Sequence, residues 1–305
     1  MNGSLEHPER GSQNLTFSIL FLVSGLSVLA FKQLEIFAHM ESIASTFHTS
    51  WAPMEVVIVW RFSCFLAGAY AVFHMFRNGP GFMIVVFHKE QKEFPHHPSG
   101  IEKFVTFSSW TLLLNIVYFL SAGILSVLVI NEVATPVWLN IMQVIFFSAG
   151  LGASFLTATV VRYVILPKEV ELRRNHDHMF NFPNQMMHNF AVVFLAIEVL
   201  LVQPQLFPSF AFIGIILGAL YAVFAYCFAF FGGGYYSYSF LDPRARYAPL
   251  WLSGLAGAIA LFYLGIWLVI HLLSLNTLIG SVVLATWVIL ILQFRSALEE
   301  TATKT

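Results

Sequence analysis

Long apolar stretches recur along most of this chain and constrain its fold more than any other feature. Crossing the roughly 30 Å hydrocarbon core of a bilayer takes about 20 helical residues. Eight stretches of roughly that length are present, covering residues 14–31, 55–76, 104–130, 137–166, 186–202, 209–231, 249–273 and 276–294. They are continuous rather than alternating, which is typical of membrane helices and not of the strands of a membrane barrel.

The composition supports the same interpretation. Only 10% of the residues are charged, whereas a soluble domain has about 25%. The sequence therefore predicts an all-α, polytopic membrane helix bundle with about eight transmembrane helices. We expect an integral, multi-pass protein of an endomembrane or the plasma membrane. A net charge of −1 gives no reason to expect nucleic acid as a partner. The two cysteines lie in separate apolar segments, which excludes a CxxC metal or redox site.

The basic residues predict the orientation. Of the 15 Lys and Arg residues, 13 lie before the first stretch, or at the end of or beyond the second, fourth, sixth and eighth. The segments after the odd-numbered stretches hold only Lys32, and Arg61 lies inside the second stretch. Because Lys and Arg stay preferentially on the cytoplasmic side, both termini are expected to be cytoplasmic.

Two ionisable residues lie within predicted membrane helices, where an unpaired charge is costly. Arg61 is about two turns from the outer end of its helix, and Glu198 is about three turns from the cytoplasmic end of its own. At a rise of about 1.5 Å per residue, their depths differ by only a few Å. An Arg61–Glu198 ion pair is therefore expected. A structural role in helix packing and a role in a proton path or in binding a substrate carboxylate both stay open.

Histidine offers a further alternative, haem-based electron transfer, which requires paired ligands at matching depth. His74 and His188 lie near the cytoplasmic side, but His271 lies at the outer end without a partner. The loop histidines at 96, 97, 176 and 178 are too few for a membrane di-iron site, and exposure to water explains them better. We therefore expect no cofactor and no metal.

Thr106 and His188 combine a hydroxyl and a base near the cytoplasmic face. Each lies where a predicted helix enters the membrane from that side, so their depths are similar. A histidine within hydrogen-bond reach can activate a hydroxyl as a nucleophile, and the free N–H groups of a helix N-terminus can stabilise an oxyanion. The simpler alternatives are a helix N-cap for Thr106 and a solvated interfacial residue for His188.

Short motifs in the same order and placement resemble the androgen-induced and androgen-dependent family of multi-pass membrane threonine hydrolases, with rolling-stone-type proteins as more distant relatives. The motifs are KFVTF at 103–107, RYVILP at 162–167, NxxxH at 184–188, FLAIE at 194–198 and GYYSYSFLD at 234–242. The resemblance spans roughly residues 55–273, which correspond to the six-helix core of the family. Residues 1–54 then form an N-terminal tail, an extra helix and an outer loop, and residues 274–305 form an extra C-terminal helix and tail. The chain departs from the animal members at Phe230-Phe231, where they carry two histidines.

The resemblance implies a lipid ester hydrolase that acts on fatty-acid esters of hydroxy fatty acids. It assigns Thr106 as the nucleophile and His188 as the catalytic histidine. We expect Asn184 to orient His188 or to stabilise the oxyanion, and Lys103 or Arg162 to bind a substrate carboxylate. Partners would be the lipid substrate and membrane lipids. The alternative is a non-catalytic helical membrane protein, present as a homo-oligomer or as a subunit of a larger membrane assembly.

Overall fold

The computed structural model describes residues 11–48, 50–174 and 176–295, and within these ranges it is a helix bundle. The helices are α1 (Gln13–Gln33), α2 (Ile36–Ile43), α3 (Met54–Arg77), α4 (Phe107–Ile130), α5 (Val137–Glu171), α6 (Phe182–Val202), α7 (Pro208–Phe231), α8 (Ala248–Leu275) and α9 (Thr277–Ile291). Seven of them, all except α2 and α9, are long and apolar enough to cross a membrane. The predicted all-α, polytopic membrane bundle is confirmed.

The last predicted span is shorter than the sequence suggested. Residues 276–294 were expected to be helical, but α9 has 15 residues and the backbone becomes extended at Leu292. At about 1.5 Å per residue this helix is about 22 Å long, less than the roughly 30 Å hydrocarbon core. The chain ends, residues 1–10 and 296–305, lie outside the described residues, so the cytoplasmic orientation of both termini stays a prediction.

The short helix α2 lies in the loop between α1 and α3, where no helix was predicted from the sequence. Its inward face carries Ile36, Met40 and Ile43, and Phe47 follows in a 3-10 turn; all four are buried. This spacing of four, three and four residues is the signal of an amphipathic helix. The signal was overlooked because the segment is too short to cross a membrane.

A small antiparallel sheet caps the end of the bundle at which α3 ends and α4 begins. Its strands are β1 (Met83–Phe87), β2 (Glu93–His96) and β3 (Tyr235–Tyr236), in the order β2-β1-β3. Pairs such as Val86 opposite Tyr236 fix the register between β1 and β3. The sheet therefore holds the segment after α7 against the loop that leads into α4.

Helix α5 is the central helix, since about 78% of its most apolar 18-residue stretch is buried inside the bundle. Small residues at 148–154 let neighbouring helices approach closely. A Cβ atom on Gly152 would lie only 2.8 Å from the backbone oxygen of Ile259 in α8. This small-residue patch thus serves contacts within the chain, whereas Gly254 and Gly257 face open space.

The buried ion pair between Arg61 and Glu198 links the middle of the bundle. Arg61 Nη2 lies 2.7 Å from Glu198 Oε1, and both side chains are fully buried. The guanidinium also donates to the hydroxyl of Ser126 and to the backbone oxygens of Ala122 and Phe47. The pair thus joins α3, α4, α6 and the turn after α2, which fits the structural role left open in the sequence analysis.

Candidate functional site

A polar cavity of about 370 Å³ opens at the same end of the bundle as the sheet. Its lining comes from the loop after α3, the start of α4, the ends of α5 and α6 that face this side, and the segment after β3. Four residues predicted for the site line it: Lys103, Thr106, Asn184 and His188. The cavity also contains Ser108, Ser109, Glu169, His178, Ser237 and Tyr238.

Thr106 is the N-cap of α4. Its backbone is extended, with φ −86° and ψ 150°, and its hydroxyl accepts the N–H of Ser109 at 3.3 Å. The same hydroxyl lies 2.7 Å from Ser109 Oγ. Ser109 Oγ donates to the backbone oxygen of Lys103 at 2.8 Å, so its proton is engaged and Thr106 is the donor to Ser109. The helix-cap role foreseen as the simpler alternative is therefore present.

The turn that presents Thr106 is held by two hydroxyls from other elements of the bundle. Tyr221 in α7 and Ser237 after β3 donate to the backbone oxygen of Val105, at 2.9 and 3.2 Å. One residue further on, Tyr238 lines the cavity as well. Contacts between the segment after β3 and the start of α4 thus fix the position of Thr106.

His188 lies in a π-helical segment, Met186–Phe190, within α6. A second π-helical segment, Val161–Ile165, interrupts α5, and both of its end residues line the polar cavity. Such segments often occur at functional sites, since the wider turn redirects side chains. Among the described residues, the ring nitrogens of His188 have no hydrogen-bond partner. The imidazole is therefore available as a base, although no hydrogen bond joins it to Thr106 in the described part of the chain.

Asn184 does not orient His188 in the way the sequence suggested. In a regular α-helix the two residues would be one turn apart on the same face, but the π-helical segment begins between them. Asn184 Nδ2 instead donates to the backbone oxygen of His178 at 2.7 Å. It therefore fixes the loop before α6, and through that loop the position of His178 in the cavity.

His178 is a site residue that the sequence analysis missed. The loop histidines were expected to be exposed to water, which is wrong for His176, since it is buried, for His178, which is half-buried in the cavity, and for His96, which is half-buried beside Glu102. Burial lowers the pKa of His178, while the nearby Glu169 carboxylate opposes this shift. His178 thus lies in the cavity close to His188, with an acidic group beside it.

Lys103 lines the cavity but has a structural role. Its ammonium donates to the backbone oxygens of Met75, Asn78 and Gly79, at 2.6, 3.0 and 2.8 Å. These bonds use all three N–H donors of the side chain, and they cap the C-terminal end of α3. Lys103 therefore has no donor left to bind the substrate carboxylate predicted from the sequence.

Arg162 is not among the residues that line the cavity. Its guanidinium instead donates to the backbone oxygens of Ile289 and Leu292 at the end of α9. The side-chain amide of Asn189, next to His188, forms two hydrogen bonds with the backbone of Gln293: Asn189 Nδ2 donates to the backbone oxygen at 2.7 Å, and Asn189 Oδ1 accepts the backbone N–H at 3.1 Å. The C-terminal end of α9 thus holds both π-helical segments, one on each side of the cavity.

Tyr238 is the second residue that the sequence analysis missed. Burial raises the pKa of its phenol, while the hydroxyls of Ser108 and Thr106 and the N–H groups of Phe107 and Ser108, which face it, oppose the shift. The phenol thus stays protonated at neutral pH. It lies at the N-terminus of α4, where the first N–H groups lack partners within the helix. This arrangement provides several donors at one point of the cavity wall.

Comparisons with protein-family models, curated proteins and solved structures give no match for this chain. The family resemblance thus stays a prediction. Within the described residues there is no group of three or more His, Cys, Asp or Glu side chains that could hold a metal ion.

Proposed function

We propose that the protein is a membrane-embedded lipid ester hydrolase in which Thr106 is the nucleophile and His188 the general base. The observation that carries this proposal is the joint presence of Thr106, His188 and Tyr238 in one polar cavity at the end of an apolar bundle. A hydroxyl, an unpartnered imidazole and a cluster of hydrogen-bond donors are the three groups that acyl transfer requires. The order of motifs shared with the threonine hydrolase family supports the same assignment.

In the first step, the Thr106 hydroxyl leaves Ser109 and its oxygen attacks the ester carbonyl carbon. His188 accepts the hydroxyl proton, directly or through one water molecule in the cavity, and then returns it to the leaving alkoxide. The products of this step are a free alcohol and an acyl ester on Thr106. Water, deprotonated by His188, then hydrolyses this ester, which releases the fatty acid and restores the hydroxyl.

The oxyanion that forms in each step would be stabilised beside Tyr238. The phenol and the N–H groups of Phe107 and Ser108 would supply the donors, and the positive end of the α4 dipole favours negative charge there. Catalytic contacts are often loose without substrate and tighten in the complex. The absence of a Thr106–His188 hydrogen bond in the described residues is therefore compatible with the mechanism.

Lys103 or Arg162 was expected to bind a free carboxylate of the substrate. Neither supports that preference now, since Lys103 caps α3 and Arg162 binds the end of α9. The substrate class proposed is therefore the broader one, an ester of a fatty acid. Fatty-acid esters of hydroxy fatty acids belong to this class, and their hydroxy acid would be the leaving alcohol.

The test must separate a nucleophile from a helix cap. Asparagine is as good an N-cap as threonine but has no hydroxyl, so Thr106→Asn keeps the structural role and removes the chemical one. We expect the purified protein to hydrolyse a fatty-acid ester of a hydroxy fatty acid, and Thr106→Asn to lose at least about 10³-fold in kcat while remaining folded. Thr106→Ser, which keeps both roles, should retain activity.

His188→Gln provides the second arm of the same test, because it keeps a polar side chain but removes the base. It should also abolish turnover. If the protein does not hydrolyse the ester, or if Thr106→Asn matches it, the residue is only a cap. The non-catalytic membrane protein, alone or in an assembly, would then be the better interpretation.

A further inference from the structure

Glu169 and His178 form a part of the polar cavity that the proposed hydrolysis does not use. Their charges interact with one another, and the charge of His178 interacts in the same way with that of His188. The three side chains therefore follow one another in a row. Glu169 lies near the end of α5 with a side-chain exposure of 12%, so its carboxylate is largely withdrawn from bulk water.

Both side chains keep polar atoms that are available to a ligand. Glu169 Oε1 accepts a hydrogen bond from Arg174 Nη1 at 3.4 Å, which leaves the second carboxylate oxygen, Oε2. The ring of His178 packs edge-on against Phe82, with the centroids 5.0 Å apart, and its nitrogens have no hydrogen-bond partner among the described residues. Polar atoms withdrawn from water are normally hydrogen-bonded. The cavity thus offers a carboxylate oxygen and an imidazole close together.

The charges around this pair favour a neutral ligand. Lys103 is the one Lys or Arg among the described residues that line the cavity, and its three donors are engaged at the end of α3. A substrate carboxylate would therefore meet Glu169 without a free cation beside it. An ammonium group is disfavoured as well, because Arg174 lies 3.4 Å from Glu169 Oε1 and already offsets its negative charge.

We propose that Glu169 and His178 bind a small neutral polyol, such as glycerol, as the alcohol part of the fatty-acid ester. A carboxylate oxygen accepts hydrogen bonds from hydroxyl groups, and an imidazole nitrogen accepts or donates according to its tautomer. The ester oxygen would lie at His188, and the free hydroxyls would follow the row to His178 and Glu169. Over the full cycle, water gives its hydroxyl to the acyl carbon and its proton to the alcohol oxygen, so the products are glycerol and a fatty acid. The inference rests on the proposed hydrolase function for this orientation.

The size of the cavity suits such an alcohol. A cavity of about 150 Å³ holds one benzene ring, and glycerol has as many non-hydrogen atoms as benzene. The polar cavity, of about 370 Å³, therefore has room for the polyol together with the reacting ester group.

The experiment compares esters of one fatty acid, using the purified full chain in lipid nanodiscs. The glycerol ester carries free hydroxyls, whereas the propyl ester of the same acid carries none. Hydrogen bonds to a charged group discriminate by about tenfold to a hundredfold, so kcat/KM should be at least about tenfold higher for the glycerol ester. Esters of the same acid with choline and with a hydroxy fatty acid should also be cleaved more slowly than the glycerol ester. A preference for any of these three other esters would overturn the inference.

Glu169→Gln and Glu171→Gln provide a matched pair of variants. Glu169 lines the cavity, whereas Glu171, two positions further along α5, is exposed and does not. Glu169→Gln should lower the ratio of kcat/KM for the glycerol ester to that for the propyl ester about tenfold, and Glu171→Gln should leave this ratio unchanged. A ratio within one protein does not depend on the fraction that is folded. An unchanged ratio in Glu169→Gln would contradict the assignment.

His178→Phe tests the other half of the pair. The phenyl ring keeps the contact with Phe82 and removes the two nitrogens. This variant should also lower the preference for the glycerol ester. If it does not, His178 is not part of the polyol site.

A binding measurement separates this inference from the proposed function. A glycerol ether of the same chain length has no ester bond, so its binding to Thr106→Asn can be followed through the rise in unfolding temperature. We expect a larger rise than with the propyl ether, and no such difference when Glu169→Gln is added. If the glycerol ether binds in this way but no ester is hydrolysed, the polyol site stands and the hydrolase function fails. If esters are hydrolysed without a preference for glycerol, the hydrolase function stands and the polyol site fails.

Discussion

Replacing Arg61 by methionine should destabilise the bundle by about 3–5 kcal/mol, the cost of leaving one partner of a buried ion pair unpaired. Arg61 donates four hydrogen bonds: one to Glu198 Oε1, two to the carbonyls of Ala122 and Phe47, and one to the hydroxyl of Ser126. A second guanidinium nitrogen, Nη2, lies 2.7 Å from Glu198 Oε1. Methionine keeps an apolar stem of similar length. The loss of stability therefore measures the removal of the charged group and not the creation of a cavity.

The partner substitution makes the prediction sharper. Tyr118 donates to Glu198 Oε1 at 2.8 Å, while Glu198 Oε2 has no partner among the described residues. Glu198→Gln keeps the acceptor for Tyr118 and removes the charge. The double variant, Arg61→Met with Glu198→Gln, should therefore be more stable than Arg61→Met alone, with a coupling energy of about 2–3 kcal/mol.

The assay is equilibrium unfolding in mixed micelles with a rising fraction of denaturing detergent, followed by tryptophan fluorescence. Lys32→Met is the control, because this cation is exposed at the end of α1, and it should change the free energy of unfolding by less than about 0.5 kcal/mol. A loss below about 1 kcal/mol for Arg61→Met, or additive effects in the double variant, would refute the view that the pair joins α3, α4 and α6.

Two further predictions concern the site, and a third concerns the 3-10 turn that precedes α4. Tyr238→Phe should lower kcat by about 10²–10³-fold, since it removes an oxyanion donor, while leaving the unfolding midpoint unchanged. Asn189→Ala breaks both bonds to Gln293 and frees the segment that carries His188; we expect a loss of about 1–3 kcal/mol in stability and a lower kcat, measured by unfolding and steady-state kinetics. Burial alone would raise the pKa of Glu102, but hydrogen bonds to its carboxylate outweigh burial and lower the pKa below its ordinary value of about 4.5. This group therefore stabilises the fold above about pH 4.5 and ceases to do so as the pH falls through the lowered pKa, so Glu102→Gln should flatten the acid side of a plot of stability against pH.

The membrane helices were predictable because each depends on local composition. Most predicted bounds lie within two or three residues of the observed ones. The start of α4 was placed at 104, but the helix begins at Phe107. The difference arises because Ser99 and Glu102 form a capping box for a separate 3-10 turn that ends at Phe104. The sequence shows both hydrophobicity and capping residues, but not which of two adjacent caps begins the long helix.

The site was predictable only in part. Thr106 and His188 were correctly placed in one region, because two helices that enter from the same side bring their first turns to the same depth. Tyr238 and His178 were missed, because their places depend on a sheet pairing and on the path of a loop, and both of these are tertiary. The two π-helical segments were missed for a similar reason, since no local pattern distinguishes them from α-helix.

The roles of Lys103 and Arg162 show the limit of reasoning from charge. Both lie near the predicted site, and a free cation there would suit a carboxylate. Each instead satisfies backbone oxygens at the end of a helix, where the last carbonyls lack partners within the helix and cations are favoured. A basic residue close to a helix end therefore has a structural use that must be set against a binding role.

The most direct test of the central claim is to find which atom reacts with a fluorophosphonate probe directed at serine and threonine. The purified protein would be treated with the probe and the adduct located by peptide mass spectrometry. We expect one adduct, on Thr106, that is absent in Thr106→Asn and forms much more slowly in His188→Gln. No adduct, or an adduct on the neighbouring Ser108 or Ser109, would contradict the assignment of Thr106 as the nucleophile.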